Sequence, residues 1–306
     1  MCPFVGREPL DTDRGEQGVV HQLHEPDQTH HGRRRGQVHG QQDIVGHRTY
    51  LALNDVDAAT LSPVPTTRLD DRCPVPVHRP VMRQRWTDLV FVHWRYRPEA
   101  VQHLLPDGLT VDTFDGSAWV GLIPFTMREV SVAGTGELPH VGRFPEVNVR
   151  TYVRRGSRVG VWFFSLDIDR YLPAVTARVA YRLPYCVGNT SHARVGNQLV
   201  TSVERRWPRT PRPAETRLAV TTADEPVLDD PLAVFLTARW GLFSQGWTGR
   251  LRWAPVDHEP WPLYRAHLDH LDDRLVTAAG LDAPTGEPDV MWTPGVSVRI
   301  GRPRRA

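Results

Sequence analysis

The segment Glu146 to Val153 carries four chemically useful side chains at alternate positions. Read as a strand, its period of two places Glu146, Asn148, Arg150 and Tyr152 on one face and Val147, Val149, Thr151 and Val153 on the other. A row of Glu, Asn, Arg and Tyr is too polar for a dry core, because buried charges need partners. Two arrangements answer this. The face is solvated or held by a structural Glu146–Arg150 pair, or it forms the polar wall of an internal cavity. In the cavity, Arg150 binds an anionic group with its planar fork. Glu146 acts there as an acid or base once burial raises its pKa, and Asn148 and Tyr152 complete a ligand-binding face.

A second candidate is His258, followed by Glu259-Pro260-Trp261-Pro262. Two prolines stiffen this loop so that it can hold the His258 imidazole and the Trp261 indole at a cavity mouth. His titrates near neutral pH and is the natural general acid/base, against the plainer reading of an idle loop histidine. Arg239 sits four residues after Phe235, beside a helical apolar stripe. Its guanidinium needs either a carboxylate or a ligand, a structural ion pair or a clamp. Other reactive types have plainer expectations: His93 as a satisfied core histidine, Asp167 and Asp169 as helix N-caps, and Arg178 as solvated. Tyr185 reads as a packed, hydrogen-bonded phenol, and Cys186 as a buried, idle thiol.

What is missing narrows the chemistry further. The chain contains no lysine; all 37 of its Lys+Arg residues are arginine. Arginine forms no Schiff base and keeps its proton. Schiff-base catalysis, covalent pyridoxal phosphate and the P-loop or kinase lysine are therefore excluded. No HExxH, GxSxG or GxGxxG occurs, which removes the usual support for zinc proteolysis, elbow-type serine hydrolysis and Rossmann cofactor binding. Cys2, Cys73 and Cys186 are far apart, so no CxxC metal or redox motif is present, and three cysteines argue against a disulfide scaffold. No metal site and no cofactor are expected. A net charge of +2 gives no global reason to expect nucleic acid or an anionic membrane. No apolar run approaches the roughly 20 residues of a membrane span, and residues 1–7 lack the apolar core of a secretory signal. The expected location is the cytoplasm. Oligomeric state is not legible.

The elements that must position these residues begin late. Residues 1–75 hold six of the fourteen histidines and Arg33-Arg34-Arg35, with sparse, aperiodic apolar residues. Such a segment buries too little surface to offset its ordering entropy. It reads as disordered, or as upstream sequence preceding a true start near Val75, Val77 or Met82. Three adjacent arginines are weak grounds for a nucleic-acid tail. From 76 to 303 the texture is strands and brief helices. Asp115-Gly116 and Arg155-Gly156-Ser157 mark hairpin turns. Pro98 opens a short helix, as does Asp230-Pro231, an N-cap and N1 pair. Leu172, Val175, Val179 and Leu183 have helical spacing, and Leu275 to Ala279 forms a helix closed by Gly280. Further strands are expected at 193–195, 198–205, 215–222, 249–256, 262–268 and 295–300. Strands outnumber helices and turns recur every 8–12 residues, so an antiparallel barrel or sandwich with short peripheral helices is expected.

Several stretches together resemble the YqjF-like family of uncharacterised proteins. They are Arg79 to Trp86, His93-Trp94, Phe144 to Val153, Gly160 to Asp167, Leu183-Pro184-Tyr185, Leu236 to Trp240 and His258 to Leu263. They follow the family's order over roughly 79–300 and leave residues 1–75 outside. The resemblance implies a closed, cone-shaped antiparallel barrel of the acetoacetate-decarboxylase-like superfamily, with a central cavity. The decarboxylases of that superfamily use a Schiff-base lysine, so their activity does not carry over to a lysine-free chain. Two functional readings follow. One is a cytoplasmic small-molecule protein with an anionic or polar ligand held by Arg150 or Arg239 and acid/base chemistry by Glu146 or His258. The other is a non-catalytic ligand-binding or interaction protein on the same barrel. Neither takes nucleic acid or a membrane as partner.

Overall fold

Alternate burial explains how the strands form. Along β1 (Met82–Tyr96), Leu89 and Phe91 join one apolar cluster, while Val90, Val92 and Trp94 join another. A strand buried on both faces reads as the near-continuous apolar run Leu89 to Trp94. The computed structural model describes residues 71–132, 142–171, 173, 174, 178, 181–208 and 214–306. These belong to the unit Pro63–Ala306. Residues 1–70 of the N-terminal segment, and Leu172, Val175 and Val179 of the expected helix, lie outside the described residues.

After β1 come α1 (Pro98–Gln102), β2 (Thr110–Val111), β3 (Ala118–Val132), β4 (Phe144–Arg155), β5 (Arg158–Ile168), β6 (Tyr185–Val195), β7 (Gln198–Trp207) and β8 (Glu215–Pro226). Next are α2 (Pro231–Thr237), β9 (Gly241–Gln245), β10 (Leu251–His258), β11 (Tyr264–Asp273), α3 (Leu275–Ala278), β12 (Asp289–Ile300) and β13 (Arg304–Arg305). Both turn signals hold: Phe114 bridges Ser117 across Asp115-Gly116, and β4 and β5 form a hairpin. Asp230 caps α2 by accepting from the Leu232 and Ala233 N–H groups at 2.9 and 3.2 Å. That helix is shorter than its apolar pattern suggests and ends before Arg239. β9 is an element the sequence reading lacks, and β13 lies beyond residue 303, the expected domain end. Among the described residues no helix is long and apolar enough to cross a membrane.

The pairings close on themselves. β1, β3, β4, β5, β9, β10 and β12 each hydrogen-bond to the next, and β12 returns to β1. β6, β7, β8 and β11 form a flap that leaves this ring at β5 and rejoins it at β12. The chain is mainly β with short helices, as expected, and most pairs are antiparallel. Two short pairings, β5 with β6 and β5 with β9, are parallel. The flap's Leu199, Val203, Leu218 and Val220 share one apolar cluster with Val147 and Val149 of β4. The valine face of β4 thus joins a dry layer, leaving the Glu146, Asn148 and Arg150 face on the opposite side of the sheet. Across from β1, Gly295 has φ +125°, and a Cβ there would collide with the Trp86 carbonyl. A glycine is therefore what lets β12 lie against β1 beside Trp86.

Candidate functional site

A cavity of about 70 Å³ lies within the seven-strand ring. Its wall includes Gln84 and Trp86 from β1, Glu146, Asn148 and Arg150 from β4, Tyr185 from β6, Arg239, His258 from β10 and Trp261. The structure therefore brings Glu146, Asn148, Arg150, Arg239, His258 and Trp261 to one place. Tyr152 is not in that wall. It is fully buried behind it, where its hydroxyl donates to the Leu236 carbonyl at 2.7 Å and meets His93 Nε2 at 2.6 Å. The hydroxyl proton is committed to Leu236, so Nε2 of His93 carries the other hydrogen. His93 is then only half satisfied, because its Nδ1 has no partner. Burial, with Arg150 nearby, pushes the His93 pKa well below its usual value.

Helix α2 orients the cations. The last carbonyls of a helix have no partner within it, and here side chains from several elements supply the donors. Arg239 Nε donates to Phe235 O at 2.7 Å, Arg150 Nη2 to Leu236 O at 3.2 Å, and Trp261 Nε1 to Thr237 O at 3.2 Å. Arg239 also donates to Asp112 Oδ2 at 2.6 Å, and Asp112 accepts from Arg154 as well. This buried ion pair answers one half of the sequence question about Arg239, yet its Nη2 remains unpartnered. Burial pushes the Arg239 pKa down, and the Asp112 carboxylate opposes that.

Arg150 has no such relief. It is 7% exposed and donates only to neutral oxygens, those of Leu236 and, at 3.4 Å, Tyr152. Its Nε has no partner, and no carboxylate lies within ion-pair distance of it among the described residues. A Glu146–Arg150 pair is absent. Glu146, 2% exposed, instead accepts from the Tyr185 hydroxyl at 3.2 Å. Burial raises its pKa from 4.5 to about 8, the Tyr185 bond opposes this, and the Asp167 charge adds to it. At neutral pH the group is a carboxylic acid with a proton to give. His258 Nδ1 lies 2.7 Å from Glu259 O, which only accepts, so Nδ1 carries the hydrogen and Nε2 keeps a lone pair. Burial lowers the His258 pKa to about 4, with the Glu259 bond opposing. The imidazole lies between Trp240 and Trp261, at 4.5 and 4.7 Å between ring centres.

Other sequence expectations need correction. Among the described residues Asp167 caps no helix: it is fully buried and holds Arg205 through two bonds of 2.6 and 2.7 Å, with Ser165 as a further donor. Arg178 is not merely solvated, since it donates to Tyr185 O and lies 4.4 Å over the Trp207 ring. Tyr185 is packed and hydrogen-bonded as expected. Sequence reasoning missed Asp112, Gln84 and Trp86. Asp112 carries no local signal, because its partner lies 127 residues away. Trp86 falls in a family-like stretch but outside the apolar run of β1. Among the described residues no three His, Cys, Asp or Glu side chains gather as a metal-ligand set.

Residues 83–297 match the model of DUF2071, described as an uncharacterized conserved protein. The chain belongs to this family. It is 30% identical over 210 residues to the uncharacterized protein YqjF of Bacillus subtilis (strain 168), covering 68% of this chain and 85% of that one. Solved structures with a similar fold include the enduracididine biosynthesis enzyme MppR complexed with pyruvate, at TM-score 0.53 and 19% identity over 74% of this chain and 90% of that one. Another is the acetoacetate decarboxylase of Legionella pneumophila, at TM-score 0.52 and 12% identity over 76% of this chain and 92% of that one. These likenesses carry the fold, which is acetoacetate-decarboxylase-like. A Schiff-base lysine has no counterpart here, since the chain has no lysine at all.

Proposed function

We propose that the cavity binds a small carboxylic acid through Arg150 and moves protons on it with Glu146 and His258. The observation that carries this reading is Arg150, a buried guanidinium with no carboxylate partner among the described residues. A charge held out of water without a counter-charge is costly, and an anionic ligand supplies the missing partner. The MppR structure with pyruvate supports a small oxo acid as the class of ligand to test. On such an acid the protonated Glu146 gives its proton to the ketone oxygen, while His258 Nε2 takes one from the adjacent carbon. An enol forms and reverses by the same two groups. No lysine is required, and no covalent intermediate forms.

Pyruvate in deuterium oxide tests both halves. Binding is read by calorimetry and proton transfer by loss of the methyl signal in NMR. Arg150→Met is expected to weaken binding by about 1.5–3 kcal/mol, the range for hydrogen bonds to charged groups, while exposed Arg155→Met leaves it nearly unchanged. Binding without exchange would assign the cavity to a non-catalytic ligand-binding protein. Equal binding by the wild type and the Arg150 variant would remove the anion site. Borohydride treatment with the oxo acid should leave the side chains unmodified.

A further inference from the structure

Every described residue lining the cavity is buried except two, Trp86 and Trp261. Their rings stack at 6.1 Å between centres with 23° between planes. Each ring is pinned at its nitrogen: Trp86 Nε1 donates to Gln84 Oε1 at 2.8 Å, and Trp261 Nε1 donates to Thr237 O at 3.2 Å. Trp261 also meets Phe91 edge-on at 5.5 Å and His258 at 4.7 Å, while Trp86 packs on Phe125 at 5.4 Å. Part exposure together with a place in the cavity wall puts this pair between the cavity and solvent.

Volume decides what can sit behind it. An apolar cavity of about 150 Å³ accommodates one benzene ring. The space here, about 70 Å³, is under half of that. A short aliphatic acid fits beside Arg150, and an aryl group does not unless the indoles give way. We propose that the stacked Trp86 and Trp261 form the mouth of the cavity and set the size limit of its ligand, restricting it to short aliphatic oxo acids. This rests on the carboxylate reading of Arg150. It adds the substrate class and names two specificity-determining residues that act through bulk, with no part in proton transfer.

The probes are pyruvate and phenylpyruvate, which share the oxo acid head and differ by a phenyl ring. Wild-type protein is expected to bind pyruvate at least tenfold more tightly than phenylpyruvate, by calorimetry. Trp261→Ala, and independently Trp86→Ala, should remove that preference by improving phenylpyruvate at least tenfold. Trp261→Phe keeps an aromatic ring at the mouth, smaller and without the nitrogen donor, and should retain more of the preference than Trp261→Ala. Cooperative urea unfolding of each variant establishes that it is folded. Equal wild-type affinity for the two acids would overturn the size limit, as would failure of both folded alanine variants to gain phenylpyruvate. If neither acid binds any form, the anion site falls and the size limit with it. Pyruvate binding that depends on Arg150 but shows no size preference leaves the function standing and removes only this inference.

Discussion

Replacing Glu146 by Gln removes the proton equilibrium of a carboxyl that is almost wholly buried and leaves its shape nearly unchanged. The wild-type group ionises at about 8 in the folded chain, against 4.5 ordinarily, chiefly because burial disfavours its charge. The folded state therefore holds a proton that the unfolded chain releases between these values, and stability falls as pH rises through that window. Below 4.5 both states are protonated and the group has no effect. The full loss above pH 8 is on the order of 5 kcal/mol at 1.36 kcal/mol per pKa unit, and at pH 7 it is about 3 kcal/mol. Either is a large share of a typical domain's 5–15 kcal/mol. The assay is urea unfolding of both proteins at pH 5, 7 and 8.5, extrapolated linearly to water. The difference at pH 5 gives the fixed cost of the substitution together with the roughly 1 kcal/mol of ionisation already present half a unit above 4.5. The variant should then gain on the wild type by a few kcal/mol between pH 5 and 8.5, because every other titrating group is common to both. The amide also still accepts from Tyr185 through its oxygen. Parallel curves for the two proteins would refute the reasoning, since they would mean that Glu146 ionises alike when folded and unfolded.

His258 should act with the opposite sign. Its folded pKa is lowered to about 4, so stability is lost as pH falls below 6.5, by up to about 3 kcal/mol. His258→Gln should flatten the acid limb of the same urea series, and an unchanged limb would count against a neutral buried imidazole. For the N-terminal segment, a chain beginning at Asp71 should give the same cooperative transition as the full chain. The described core reaches back to Val77, whose N–H donates to Asp257 Oδ2 at 2.9 Å; loss of the transition would refute dispensability of residues 1–70.

Period-two patterning, turn dipeptides and one N-cap were enough to read most strands, the β4–β5 hairpin and the start of α2, because each is governed by residues only a few positions apart. The same local rule put Glu146, Asn148 and Arg150 on one face. What that face meets was not legible, because the answer depends on which strands close the ring. β9 was also missed: this five-residue stretch pairs with β10, the next element in the chain, and places its other edge against β5, about 80 residues earlier. Arg239 and Asp112 show the limit most sharply. The sequence says that a buried guanidinium needs a partner, but only the fold brings Asp112 to Arg239 and, among the described residues, no acid to Arg150. Likewise the sequence forbids Schiff-base chemistry, since a missing lysine is missing in every fold. By contrast, the proton on Glu146 and the lone pair on His258 depend on burial and hydrogen bonds that strands and loops distant in the chain supply. Residue types set the chemistries this protein can perform, and tertiary closure decided which of those residues share a cavity, because burial and electrostatics depend on distance in space and not along the chain.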